Sequence, residues 1–380
     1  MIRQIALFLR WRSQLKQEQQ ALRLFKKWSV LFEQNRTSNP IENKLALVRL
    51  DDIGDYLLWR NCLAVYKNSA RFIDYKVTLI GNIVWRPVFE AYDSATVDET
   101  IWIDKHLYLS DSLYREKFLK EIRNKNFGTV ICPSRTRPLL LDDLIALATG
   151  ASVRIGVHNS RAISKANKIS DAVYNQFFPE KNVEHEFIFN RKFTTFASGM
   201  NVNLDGPILP ALNSNYFPKQ VICFIGASAK SKTWPIDYWI ELVKLLQQKG
   251  YEPLLSGGKN EKEIAEKITA STQCKSIVGQ TNLVGTLEAI SGAAAVITGD
   301  TMAAHSAVSF NKPTVILANG VNANRFVAYK EAGFKNVKTV YTQEYLNSKK
   351  NKAYKAVSKD MESIKPEQVF STVQQLLNSI

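Results

Sequence analysis

The chain has 380 residues, 45% of them hydrophobic, which is enough for two domains of ordinary size, each with its own core. It carries a net charge of +15, and its four cysteines (Cys62, Cys132, Cys223, Cys274) are scattered in mostly apolar surroundings. Without metal-type spacing they exclude a zinc or disulfide framework and read as reduced, buried residues, and no stretch reaches the roughly 18 apolar residues of a membrane span.

The charge is unevenly placed. Residues 1–40 carry eight Lys and Arg (Arg3, Arg10, Arg12, Lys16, Arg23, Lys26, Lys27, Arg36) against Glu18 and Glu33. Ile2, Ile5 and Leu9 recur at helical spacing, and so do Leu22, Phe25, Trp28 and Phe32. A basic amphipathic helix with Trp and Phe suits an anionic membrane surface, which makes residues 1–36 a membrane-binding segment in one reading. In the other, the apolar face packs on its own domain and the charged face is solvated. The run IALFL is too short for a signal peptide and is followed at once by RWR. No nucleic-acid motif accompanies the charge, so nucleic acid is not an expected partner.

From Lys44 the chain alternates between strand-like and helix-like segments. KLALVRL (44–50), KVTLIGN (76–82), ETIWID (99–104), GTVICPS (128–134) and SVRIGV (152–157) read as strands, mostly separated by helical stretches. This rhythm implies parallel βαβ units. It fades into an irregular segment around 175–187 and reaches the proline-rich stretch LDGPILPALNSNYFPK (204–219), the best linker.

A second series starts at QVICFIG (220–226). The helix after it places Ile236, Trp239, Ile240, Val243 and Leu246 on one face, with Pro235 at its first position. YEPLLSGG is the next strand, and Asn260 with Glu263 forms an N-x-x-E variant of the capping box for NEKEIAEKITAS. AAVITGD, TMAAHSAVSF and PTVILAN continue as strand, helix, strand, and a terminal helix closes the chain. The domains so read are 1–40 (basic extension), 41–205, a linker at 206–219, 220–358 and a C-terminal helix at 359–380.

Ligands in such sheets gather beyond the carboxyl ends of the strands. Four polar segments fall there: LDDIGD (50–55), GASAKSKTWP (226–235), SGGKNE (256–261) and TGDTMAAH (298–305). The second is close to a phosphate-binding P-loop, but Ser231 stands where the pattern requires glycine. Trp234-Pro235 also delays the helix, so Lys232 stays on the loop. The stretch offers backbone amides, serines and lysines to an anion, although an exposed polar turn explains the same residues.

VRLDDIGDYLLW, GASAKSKTWPIDYW, SGGKNEKEIAE and GDTMAAHSAVSFNKPTVIL resemble, in order, the signature blocks of glycosyltransferase family nine, the bacterial lipopolysaccharide heptosyltransferases and their relatives. The resemblance covers roughly residues 44–320. It implies an α/β fold of GT-B type, with two Rossmann-like domains facing each other across a cleft, the first for the acceptor and the second for the nucleotide sugar. It also implies inverting, metal-independent transfer of a sugar, commonly heptose, from a nucleotide diphosphate sugar (ADP-heptose) to a lipid-linked saccharide. No cofactor and no metal are expected, in keeping with the lack of an Asp-x-Asp motif.

The same resemblance assigns roles. Asp55 matches the catalytic aspartate that deprotonates the acceptor hydroxyl; the plainer alternative is a helix-start aspartate stabilised by the dipole. Asp51 and Asp52 read as solvated loop acids. Lys232 and Ser228 match the donor-phosphate contacts, Lys232 neutralising the departing diphosphate. Glu261 matches the acid that holds the ribose hydroxyls, and Asp300, Thr301 and His305 lie on the corner facing the phosphates.

Two departures stand out. Met302 replaces the family's usual glycine, which permits close backbone approach. CPSRTRP (132–138) replaces the usual end of an acceptor-side strand, and Arg135 and Arg137 there are expected to bind an acidic acceptor, unless they are surface charges. The function expected is transfer onto a lipopolysaccharide core or related cell-surface glycan, at the cytoplasmic face of the membrane. The alternatives are a nucleotide-sugar epimerase of similar fold and a catalytically silent glycan- or membrane-binding relative.

Overall fold

Strands buried on both faces need continuous apolar runs, and the middle strands of this chain have them. A computed structural model describes all residues except 1, 35–39, 159–164, 181–182, 212–214, 228, 322, 351–359 and 380, and the side chains of 2–15 and 350. Its strands are β1 (Ile41–Arg49), β2 (Lys76–Asn82), β3 (Glu99–Ile103), β4 (Phe127–Ile131), β5 (Val153–Val157) and β6 (Gln176–Phe178). A second set follows: β7 (Phe217–Phe224), β8 (Glu252–Ser256), β9 (Lys275–Ser276), β10 (Ala293–Gly299), β11 (Thr314–Ala318) and β12 (Val337–Tyr341).

They form two six-stranded sheets, ordered β3-β2-β1-β4-β5-β6 and β12-β11-β10-β7-β8-β9. Every strand pair is parallel. In both sheets the order reverses beside the first strand, between β1 and β4 and between β7 and β10. This is the doubly wound Rossmann arrangement, whose ligand position lies at that reversal. The first five expected strands of the first series and the four of the second are present. β6, β9 and β12 were not expected: β6 is half-buried throughout and β9 has only two residues, so neither carries a long apolar run.

The chain divides into two compact units. The first comprises Met1–Asp52, Cys62–Asn182 and Arg191–Val202; the second comprises Ile53–Asn61, Val183–Asn190 and Asn203–Ile380. Segments 53–61 and 183–190, read from sequence as part of the first domain, thus belong by their contacts to the second unit. The C-terminal helix Pro366–Leu377 is also part of it, burying Val369, Val373 and Leu376 in the same core as Trp239 and Val243. All four cysteines are free and buried.

The N-terminal helix runs over Ile2–Gln34. Phe25 and Phe32 are buried in the core of the first unit with Leu141 and Leu144, and Trp28 packs against it. Arg123 donates from Nη2 to the Phe32 carbonyl at 3.0 Å and stands over the Phe32 ring at 5.6 Å. The apolar face of this half of the helix therefore serves internal packing. Among the described residues no helix is long and apolar enough to cross a membrane.

Phe25→Ala is expected to lower the stability of the first unit by about 3 kcal/mol, through lost burial and an incompletely filled cavity. Urea denaturation should show an earlier midpoint. An unchanged midpoint would mean that the helix does not dock on this unit in solution.

Candidate active site

The four polar strand ends are placed by different local devices. After β7, Lys230–Lys232 form one 3-10 turn, and the Lys232 amide donates to the Ala229 carbonyl at 2.9 Å. Trp234 then anchors the chain. It is buried, packs edge-on against Trp239 with ring centroids 4.9 Å apart, and donates its indole N–H to the Ile364 carbonyl at 2.9 Å. The helix begins only at Ile236, with Pro235 at the capping position and not at the first helical one. Lys232 accordingly stays on the loop.

Lys232 turns toward the end of β10. Its Nζ lies 2.6 Å from Asp300 Oδ2, and both side chains are largely buried. Thr301 caps the helix Met302–Ser309, its Oγ1 accepting from the Ala303 amide at 3.2 Å and lying 3.0 Å from Thr298 Oγ1. Asn319, which follows β11 and carries no motif signal, donates to the Ser231 carbonyl at 2.9 Å and ties the loop to the same sheet. Met302 is partly buried against an apolar cluster containing Ile222, Ile290 and Ala303. Ser228 lies outside the described residues.

The expected capping box of Asn260 and Glu263 does not form. A 3-10 turn over Lys259–Glu261 precedes the helix Lys262–Thr272, so Glu261 occupies the capping position, without a side-chain capping hydrogen bond. Its Oε2 lies instead 3.1 Å from where a Cβ on Gly258 would stand, and 3.6 Å from that point on Gly257 and on Gly226. A Cβ on Gly258 would therefore crowd this carboxylate, whereas on Gly257 or Gly226 it would meet it at ordinary contact distance.

Asp55 belongs to the second unit, on the short helix Ile53–Leu57. That helix comes so close to the helix Met302–Ser309 that a Cβ on Gly54 would stand 2.5 Å from His305 Cδ2. His305 is buried, and its Nδ1 lies 2.5 Å from the Tyr329 hydroxyl. Burial, aided by the charge of Lys232 and opposed by Asp300 and Glu186, lowers the His305 pKa to about 4. Burial likewise pushes the Tyr329 hydroxyl well up. Both groups are therefore uncharged at neutral pH.

Asp55 has a cationic neighbour that sequence reasoning missed. Arg325 Nη2 lies 3.6 Å from Asp55 Oδ1, while the same guanidinium holds Glu186 through Nε at 2.7 Å and Nη2 at 3.1 Å. Glu186 sits in the segment read as irregular, and Arg325 follows β11 in a stretch without a motif, so no sequence signal paired them. Lys232, Asp300, Thr301, His305, Glu261 and Asp55 are all part of the second unit.

Other expectations are corrected in the first unit. Asp52 is 82% exposed and pairs with Lys105 at 2.7 Å, as a solvated loop acid can. Asp51 is not solvated in that way: it pairs with Arg49 at 2.9 Å and accepts from Ser134 Oγ at 3.1 Å. Arg137 is fully buried, 3.0 Å from Asp143 and 3.0 Å from Asp171, with its guanidinium 4.5 Å over the Tyr174 ring. Arg135 is buried against Glu180 at 2.6 Å. Both arginines are thus buried and paired with carboxylates of their own unit, unlike the open ligand contacts expected of them. Among the described residues no group of three or more His, Cys, Asp or Glu could hold a metal ion.

Comparison with known proteins gives this arrangement its relatives. The family described as "Glycosyltransferase family 9 (heptosyltransferase)" matches residues 115–357. Lipopolysaccharide heptosyltransferase 2 of Escherichia coli K12 is 30% identical over 93 residues, 23% of this chain. Lipooligosaccharide heptosyltransferase 2 of Haemophilus ducreyi is 30% identical over 94 residues, again 23% of this chain. The match spans 27% of the length of each of these relatives. Among solved structures, a family 9 glycosyl transferase from Veillonella parvula superposes with a TM-score of 0.68 at 17% identity, covering 90% of this chain and all of that one. An E. coli heptosyltransferase with ADP gives a TM-score of 0.68 at 16% identity over 88% of this chain and 99% of that one. The two Rossmann-like units are thus those of the GT-B type fold, and the chain belongs to glycosyltransferase family 9.

Proposed function

We propose that the chain is an inverting glycosyltransferase that moves a sugar, heptose in the first instance, from a nucleotide diphosphate sugar to a lipopolysaccharide core or related cell-surface glycan. One observation carries most of this reading. A lysine-aspartate pair, a carboxylate beside the glycines of two strand ends and a second aspartate that follows a glycine packed on a buried histidine all occur in one compact unit, at the strand ends where doubly wound sheets bind ligands. Supporting it, one solved structure of similar fold is an E. coli heptosyltransferase with ADP and another has ADP-2-deoxy-2-fluoro heptose. ADP-heptose is accordingly the donor to test first.

In the proposed reaction the Asp55 carboxylate takes the proton of the acceptor hydroxyl. The hydroxyl oxygen attacks the anomeric carbon on the face opposite the diphosphate, the carbon–oxygen bond to the diphosphate breaks, and the configuration inverts. Lys232 neutralises the charge that collects on the departing diphosphate. Because Lys232 is already paired with Asp300, the donor shares a cation that is held in place, with no flexible side chain left to be ordered. His305 is neutral and lends no charge; it packs against Gly54 and so positions the segment that carries Asp55. Glu261 is assigned to the ribose hydroxyls, and Asp300 and Thr301 to the corner facing the phosphates. Arg135 and Arg137 drop out of the acceptor site, which is assigned to the first unit on the family resemblance alone. The metal-free mechanism, the location at the cytoplasmic membrane face and the attraction of residues 1–36 to anionic lipid belong to the same proposal.

Lys232→Ala is expected to weaken ADP binding by roughly 1.5–3 kcal/mol, the size of one charge-assisted contact, with Lys230→Ala much milder. Isothermal titration calorimetry measures both. Equal affinity in wild type and Lys232→Ala would return the loop to a polar turn. Turnover of ADP-heptose should require an acceptor glycolipid; release or isomerisation of the sugar without any acceptor would favour the epimerase.

The neutral His305 also sets an acid limit. Its folded pKa of about 4 lies below the ordinary 6.5, so on acidification the unfolded chain takes up the proton first. The stability contributed is complete above about pH 6.5 and is lost as pH falls toward 4, about 3 kcal/mol in all. Urea titrations at pH 7 and pH 4.5 should differ by less in His305→Gln than in wild type; an equal difference would show that His305 is not the group responsible.

A further inference from the structure

Arg325 has no place in the reaction described so far, yet three observations converge on it. Glu186 is fully buried, and a buried carboxylate requires a partner. Arg325 supplies one with the two-pronged geometry that fixes a guanidinium plane, Nε at 2.7 Å and Nη2 at 3.1 Å from the two carboxylate oxygens. The Phe326 ring lies 4.5 Å from the guanidinium carbon and restricts it further. Held in this way, Arg325 directs Nη2 toward Asp55 Oδ1 at 3.6 Å.

That distance is informative. It is too long for a good hydrogen bond, so Asp55 feels the charge of Arg325 without giving up a lone pair to it. A cation this close favours the ionised carboxylate. His305, against Gly54, is neutral, and Lys232 is paired with Asp300. Glu186 works in the opposite sense, because its negative charge shares the guanidinium.

We propose that Arg325, clamped by the buried Glu186, is a positioning residue that keeps Asp55 ionised and aimed as a base. This role rests on Asp55 being the base, and the test is designed so that the two ideas can fail separately. A purely structural Arg325–Glu186 pair predicts the same folding defect on mutation, but no change in how Asp55 titrates.

The experiment follows the carboxyl carbon of Asp55 by 13C NMR in the full chain labelled at aspartate, with the signal assigned by its loss in Asp55→Asn. In Arg325→Gln the titration midpoint of Asp55 should rise by about one pH unit, and in Arg325→Lys it should stay nearer to wild type. The double variant Arg325→Gln with Glu186→Gln leaves no unpaired buried carboxylate, so it keeps the proposal testable if Arg325→Gln alone does not fold; its Asp55 midpoint should also rise, because Arg325 is the nearer charge. An Asp55 midpoint unmoved in Arg325→Gln, or in the double variant, overturns it. With ADP-heptose and acceptor, Arg325→Gln should lower kcat about tenfold or more while ADP affinity stays within about twofold, and Arg325→Lys should recover part of the rate. Parallel loss of ADP affinity, or no recovery with lysine, also counts against it. Should Asp55→Asn transfer at the wild-type rate, the base assignment fails, while the NMR midpoints still decide whether Arg325 controls Asp55.

Discussion

Everything proposed for Asp55 depends on one steric fact, the absence of a side chain at Gly54. The ring of His305 occupies the space in which a Cβ would stand, 2.5 Å from the nearest ring carbon. Real Cβ atoms do not approach so closely, so any other residue would push the helix Ile53–Leu57 off the helix Met302–Ser309. His305 has little room to retreat: it is buried, and its other face meets Tyr329. The glycine therefore gives Asp55 its place in the second unit beside Arg325.

The charges of that unit are arranged in small, nearly self-satisfied groups. Lys232 and Asp300 form one; Glu186, Arg325 and Asp55 form another. Such pairing keeps buried ions from carrying their full desolvation cost. It also means that a bound diphosphate or a titrating acceptor hydroxyl would perturb partners already in position, which is how preorganised electrostatics contribute to catalysis. Two charges of the first unit tell a different story. Arg135 and Arg137 are held by Glu180, Asp143 and Asp171, and that network contributes to the packing of its own unit.

Much of the fold was legible because fully buried parallel strands carry an unmistakable apolar signature. β10 is buried at every position, and the boundaries of β2 fall where the run KVTLIGN begins and ends. Edge strands such as β6 and β9 need only a few half-buried residues and left no such trace. Local rules failed where tertiary contacts decided. Pro235 was expected at the first helical position, but the burial of Trp234 sets the start of the helix one residue later. Glu261 looked ready to begin a capped helix, whereas its carboxylate is directed at the glycines of two strand ends. The site residues came from four motif blocks; Arg325, Glu186, Tyr329 and Asn319 did not, because their importance lies in partners far away in sequence. The opposite error befell Arg137, whose position at a strand end suggested a ligand contact and whose burial shows a structural pair.

The central claim is that Asp55 acts on the acceptor's proton while other residues of the same unit hold the donor. The most direct measurement is the rate of transfer by Asp55→Asn under saturating donor and acceptor, taken together with its affinity for ADP. Asparagine keeps the size and capping ability of aspartate but cannot accept the proton. The account predicts a rate about 10²–10⁴-fold below wild type with ADP affinity nearly unchanged. Transfer at the wild-type rate would contradict it and leave Asp55 as a helix-start residue.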